Sequence, residues 1–167
     1  VAEPLNIQER TGFGLATVMA RKGVTAAMIS QALGVAAPDG PAWTAGGGLT
    51  LMGSGPGAWL ALSESEPAAH AQRLREQLGP LASVSDQSGG YVILRIAGPG
   101  ARTLLQRGAA IDLHPAAFAP GAVATTVIGH IGVILRQLDE TPAYELALFR
   151  SYAASFGHWL DAARAAL

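Results

Sequence analysis

The side chains able to do chemistry are few and scattered. His70, His114, His130 and His158 are the only imidazoles, cysteine is absent, and no two histidines stand at metal-ligand spacing. His70 and His158 fall on expected helices away from their apolar stripes, which favours solvated or core-edge roles, and His130 falls at an expected strand turn. The glycine runs Gly46-Gly47-Gly48 and Gly53-Ser54-Gly55-Pro56-Gly57 lead into strand-like segments. A phosphate loop instead presents backbone N–H groups at the start of a helix, so turn geometry is the better reading of both runs. Gly98-Pro99-Gly100 does open a helical pattern, but its proline removes one of the donors a phosphate needs.

Two polar clusters remain. Ser85-Asp86-Gln87-Ser88 lies between apolar segments and ends in Gly89-Gly90. Asp and Ser side chains accept local backbone N–H bonds at such corners, so the cluster reads either as turn chemistry or as a recognition surface. Asp112-Leu113-His114-Pro115, followed by Phe118, has the same two readings. Asp112 can cap the short turn toward Phe118, and proline pushes His114 to an extended backbone. No catalytic, cofactor-binding or metal-ligating set is expected in this chain.

The elements that must position these clusters follow from hydrophobic periodicity. Segments 15–20, 49–52, 58–62, 81–84, 91–97, 123–128, 131–138 and 144–149 have the length and mix of strands. A first helix is expected from the spacing of Val24, Met28 and Ala32 with Ile29 and Leu33, closed by Gly34. A second carries Ala71, Leu74 and Leu78 behind a Ser63/Glu66 capping box, a third opens at Gly98-Pro99 and runs to about Arg107, and a last begins after Ser151. In that last helix Tyr152, Phe156, Trp159 and Ala163 are expected on one buried stripe. Residues 1–13 read as a loose arm, and 36–48 and 111–121 as loops.

Hairpins forbid a purely parallel sheet. The expected fold is therefore α+β, with two ferredoxin-like halves of the βαββα type, about 14–88 and 89–167, each laying helices on one face of a mostly antiparallel sheet. The halves together make a single domain over 14–167.

Composition narrows the classes of function. The 11 basic and 12 acidic residues offer no electrostatic footprint for nucleic acid or an anionic membrane, and the absence of cysteine fits a reducing compartment. The most apolar stretch, 123–135, is too short for a membrane span, and a cytoplasmic protein is expected. Charged residues make up 14%, against roughly 25% in ordinary soluble domains, which leaves surface for a partner to cover or reflects an alanine- and glycine-rich chain.

The polar clusters and their flanks together resemble a known family. Ser85-Asp86-Gln87-Ser88, then Leu94-Arg95-Ile96-Ala97-Gly98-Pro99 with Ala101-Arg102, and downstream Gly108, Asp112-Leu113-His114-Pro115, Phe118, Pro120-Gly121, Thr126, Glu145-Leu146, Arg150-Ser151 and Trp159-Leu160 are similar to the gamma subunit of heterotetrameric sarcosine oxidase. The resemblance covers 82–160 well and 15–80 in outline. Gly157 departs from it, standing where that family tends to have a bulky residue.

What the resemblance implies is a non-catalytic assembly subunit with an aminomethyltransferase-like fold, partnered by large alpha and beta and small delta subunits. The implied complex oxidises the N-methyl group of sarcosine, giving glycine, hydrogen peroxide and a one-carbon unit passed to tetrahydrofolate. FAD, FMN, NAD, tetrahydrofolate and zinc would belong to the other subunits. Ser85, Asp86, Gln87, Ser88, Asp112, His114 and Phe118 would then serve as interface or family-motif residues. The alternative is a folate-binding one-carbon-transfer protein of the same fold, with Asp86 or Asp112 as the carboxylate that grips the pterin.

Overall fold

The segment expected to be a loose arm contains a strand. In the computed structural model, which describes residues 5–167, Asn6–Arg10 (β1) pairs antiparallel with Tyr91–Ala97 (β7), Ile7 opposite Ile96 and Gln8 opposite Arg95. An edge strand needs only alternate residues covered, and Ile7 alone packs on the core while Asn6, Gln8 and Glu9 stay exposed. So polar a segment carries no apolar run to announce it. Residues 1–4 of the expected arm lie outside the described residues.

The chain forms two units, Thr11–Gly89 and a second that joins the stretch up to Arg10 with Gly90–Leu167. In the first, Gly14–Ala20 (β2), Ala26–Leu33 (α1), Trp43–Gly46 (β3), Leu49–Gly55 (β4), Ala58–Ser63 (β5), His70–Leu78 (α2) and Ala82–Asp86 (β6) follow in order. The second continues after β7 with Ala101–Gln106 (α3), Val123–Ile128 (β8), Ile131–Asp139 (β9), Ala143–Phe149 (β10) and Ala153–Ala165 (α4). Both five-stranded sheets are antiparallel, ordered β3-β4-β5-β2-β6 and β8-β9-β10-β7-β1. The two orders correspond strand for strand, so the internal repeat is one of topology. Each half has one strand more than expected, because Trp43–Gly46 inside the expected 36–48 loop adds β3 to the edge of β4.

Period-two alternation decides what each sheet buries. On β10 the even positions Tyr144, Leu146 and Leu148 are solvent-inaccessible and join Leu104, Leu105, Phe156 and Leu160 of α3 and α4 in one cluster. In the other unit Ala16, Val18, Trp59 and Ala61 meet Ile29 of α1 and Leu74 and Leu78 of α2. Helix α1 ends as expected, with Gly34 at φ +69 and its N–H on the Ser30 carbonyl.

Two expectations about helix ends are corrected. Ser63 does not cap α2: its Oγ accepts from Ser65 N at 3.1 Å, and Pro67–Ala69 makes a short 3₁₀ turn before α2 starts at His70. Tyr152 is 51% exposed, because it ends a separate 3₁₀ turn, Arg150–Tyr152, so that Phe156, Leu160 and Ala163 carry the buried stripe of α4.

Gly157, inside α4, has open space where a Cβ would stand. Gly157→Ala is therefore expected to raise stability by up to about 1 kcal/mol, read as a higher urea midpoint at an unchanged m-value. At Gly53 the reverse holds, since a Cβ would lie 2.0 Å from the Gly40 carbonyl oxygen, and only glycine allows the β4 bulge to sit against that backbone.

Candidate functional site

The first polar cluster begins at the end of a strand. Ser85 and Asp86 are the last residues of β6, opposite Thr17 and Ala16 of β2. Ser88 N and Ser88 Oγ lie 3.0 and 2.8 Å from Asp86 Oδ1, Leu15 N donates to Ser88 Oγ at 3.0 Å, and Gln87 N donates to the Leu15 carbonyl at 2.7 Å. The cluster thus ties the exit of β6 to β2. The backbone N–H and hydroxyl of Ser88 hold the Asp86 carboxyl below its ordinary range, with Arg75 and His70 adding smaller attraction.

The consequence for acid stability has a definite sign. A carboxyl depressed in the fold stabilises it above the unfolded value and loses that contribution as pH falls below about 4. Asp86→Ala is expected to flatten the loss of stability between pH 5 and 2 in urea titrations, leaving the fold intact at pH 7 because Asp86 is exposed.

The second cluster folds on itself in the same way. His114 N donates to Asp112 Oδ1 at 2.8 Å, Ala116 N to His114 Nδ1 at 3.2 Å, and Phe118 N to the His114 carbonyl at 2.9 Å. Gln106 of α3 clamps the loop, accepting from Leu113 N at 2.8 Å and donating to the Ile111 carbonyl at 2.9 Å. Leu113 and Phe118 are buried in the chain's own core. Asp112 and His114 stay exposed and, with Arg102, Thr103, Gln106 and Arg107, line an open groove of about 540 Å³. Arg102 Nε is anchored on the hydroxyl of buried Tyr144 at 3.2 Å, and Arg107 Nη2 on the Ala166 carbonyl at 2.5 Å.

The two clusters therefore belong to different units. Each is built mainly from hydrogen bonds to its own backbone, and what each offers outward is a short polar surface. Among the described residues no group of three or more His, Asp or Glu side chains could hold a metal ion.

One charged constellation escaped the sequence reading. Glu145 on β10 is only 3% exposed and takes Arg10 Nη1 on Oε1 at 2.7 Å and Arg136 on Oε2, through Nε at 3.1 Å and through Nη2. Arg136 faces Glu145 directly across the β9–β10 pair, whereas Arg10 reaches it from β1 over the intervening β7. All three stand on the sheet face opposite α3 and α4, as the alternation along each strand requires. The available signal was a single charge set in each of two apolar segments, 131–138 and 144–149. Its chemistry is that of a brace between strands, one carboxylate shared by two guanidinium groups.

Comparison with known proteins gives this architecture its relatives. The sarcosine oxidase subunit gamma of Corynebacterium sp. (strain P-1) is 31% identical over 137 residues, 80% of this chain, and the match spans 66% of that relative, just under two thirds of its length. A chain of the heterotetrameric sarcosine oxidase from Corynebacterium sp. U-96, solved in complex with pyrrole 2-carboxylate, superposes with a TM-score of 0.88 at 25% identity, covering 99% of this chain and 86% of that one. The glycine cleavage system aminomethyltransferase T from Bartonella henselae shares the fold, with a TM-score of 0.69 at 14% identity over 95% of this chain and 45% of that one. A family model matches residues 18–166, and the chain belongs to the sarcosine oxidase, gamma subunit family.

Proposed function

We propose that this chain is the gamma subunit of a cytoplasmic heterotetrameric sarcosine oxidase and contributes to assembly rather than to catalysis. The observation that carries the reading is the family match over residues 18–166, supported by a fold that follows a chain of such a complex at a TM-score of 0.88. The partners are the large alpha and beta and the small delta subunits. FAD, FMN, NAD, tetrahydrofolate and zinc reside in them, and the complex converts sarcosine to glycine, hydrogen peroxide and a one-carbon unit carried by tetrahydrofolate.

Within this reading the outward contacts come from Ser85 to Ser88 and from Asp112 and His114, the latter beside the guanidinium groups of Arg102 and Arg107. Arginine suits such a surface because its planar fork survives partial desolvation. Folate binding by this chain is disfavoured on geometric grounds, since Asp86 and Asp112 are exposed and each gives Oδ1 to a local turn.

Omitting the gene for this chain from co-expression tests the role. The remaining subunits are expected to assemble poorly and to produce peroxide from sarcosine at a small fraction of the normal yield, and adding the purified chain should restore it. Full peroxide production by a stable complex lacking this chain would overturn the proposal.

A further inference from the structure

Beyond assembly, the unit Thr11–Gly89 contains a cavity that neither polar cluster uses. It measures about 180 Å³ and is walled by the end of α1 at Leu33 to Val35, the β3–β4 turn at Gly46 to Leu49, Ser63 and Ser65, and one face of α2. That face is made by His70, Arg73, Leu74 and Gln77, whose spacing of three, four and seven residues stacks them along the helix. At about 30 Å³ per water the space suits a molecule of a few heavy atoms. The walls approach closely, for a Cβ on Gly48 would lie 3.1 Å from Ser65 Oγ.

The groups lining it are matched to a small acid. His70 is 5% exposed, and Nε2 lies 3.0 Å from the Ala61 carbonyl, which can only accept; the proton is therefore on Nε2, and Nδ1 is left to act as an acceptor. Gln77 supplies an amide and Arg73 a guanidinium. The Arg73 guanidinium already holds a carboxylate, that of Glu66, in an exposed ion pair. Glu66 makes this contact from a left-handed backbone, φ +49, which a side chain with a Cβ adopts only at a cost. The carboxylate on Arg73 is thus a tethered one, offered by an exposed residue of left-handed backbone to an arginine that lines the cavity.

We infer that this cavity is a binding site for a small carboxylate and that Glu66 is its built-in competitor. A free carboxylate takes the guanidinium of Arg73 with Gln77 beside it, Glu66 swings out to solvent, and an amine on the ligand, where present, donates to His70 Nδ1. The assignment concerns one unit of this chain and is independent of the proposed assembly.

The test is amide NMR titration of the full chain at constant ionic strength with acetate, glycine and inorganic phosphate. Shifts are expected at Gly47, Gly48, Ser65, Arg73 and Gln77 with acetate and glycine. Glu66→Gln should tighten acetate about two- to fivefold, the hold an exposed ion pair has on its partner, and Arg73→Gln should abolish the shifts while leaving the rest of the spectrum in place. Unchanged or weaker acetate binding by Glu66→Gln, or shifts scattered away from the cavity, would overturn the inference. Phosphate binding as tight as acetate, with the same response to Glu66→Gln, would overturn its carboxylate selectivity.

Discussion

Glu145→Ala is expected to destabilise the chain by about 3–5 kcal/mol, the usual cost of removing one partner from a buried ion pair and leaving the other charge without it. The substitution acts on a side chain 3% exposed that receives both Arg10 and Arg136. It takes the Glu145 carboxylate from the Arg136 guanidinium on β9 and loosens β1, which Arg10 ties to β10. Against a total stability of about 5–15 kcal/mol for a domain of this kind, that is a large share of the whole. Glu145→Gln keeps shape and part of the hydrogen bonding and should cost clearly less. Urea denaturation decides, and a loss below about 1 kcal/mol for the alanine variant would mean that the brace contributes little.

Gly129→Ala is expected to cost about 2–5 kcal/mol. Gly129 and His130 connect β8 to β9 with φ +57 and +68, the pair of left-handed residues that a tight type I′ hairpin turn requires. Alanine at such a φ costs about 1–2 kcal/mol from its own backbone. A Cβ there would also lie 2.7 Å from two ring atoms of Trp159, and overpacking of this kind costs about 1–3 kcal/mol. Gly108 is under the same constraint, its Cβ position being 2.5 Å from the other end of the indole. The ring is thus wedged against two backbones, and Trp159→Leu should relieve part of the Gly129→Ala penalty. A double-mutant cycle should show coupling of about 1 kcal/mol or more, and simple additivity would remove Trp159 from the explanation.

Much of the fold was legible because its strands and helices announce themselves locally. Eight of the ten strands carry runs of Val, Ile, Leu and Ala, and α1 carries its own stop signal in Gly34. The two missed strands are edges. Asn6–Arg10 has one apolar side chain, and Trp43–Gly46 is four residues long beside further glycines, so neither buries enough to show a period. The Ser63/Glu66 spacing misled for a different reason, since Pro67 starts a 3₁₀ turn and Ser63 bonds to the nearer Ser65.

The candidate sites divide along the same line. Contacts within a few residues, such as Ser88 with Asp86 or His114 with Asp112, follow from sequence because the chain cannot avoid them. The Glu145 brace joins residues 135 apart, and only the order β1-β7-β10-β9 brings Arg10 to it. His70 is similar: expected off the apolar stripe of α2, it stands four residues before Leu74 on the buried face, and β5 supplies the Ala61 carbonyl that lets an imidazole be buried.

The most direct test of the central claim is the mass of the particle this chain enters. Co-expressed with the proposed alpha, beta and delta partners and passed through size-exclusion chromatography with native mass spectrometry, the 17.0 kDa chain is expected to leave the column within a single four-subunit particle at one copy per complex. Elution as a free 17.0 kDa chain, apart from an intact and active complex of the others, would contradict the account.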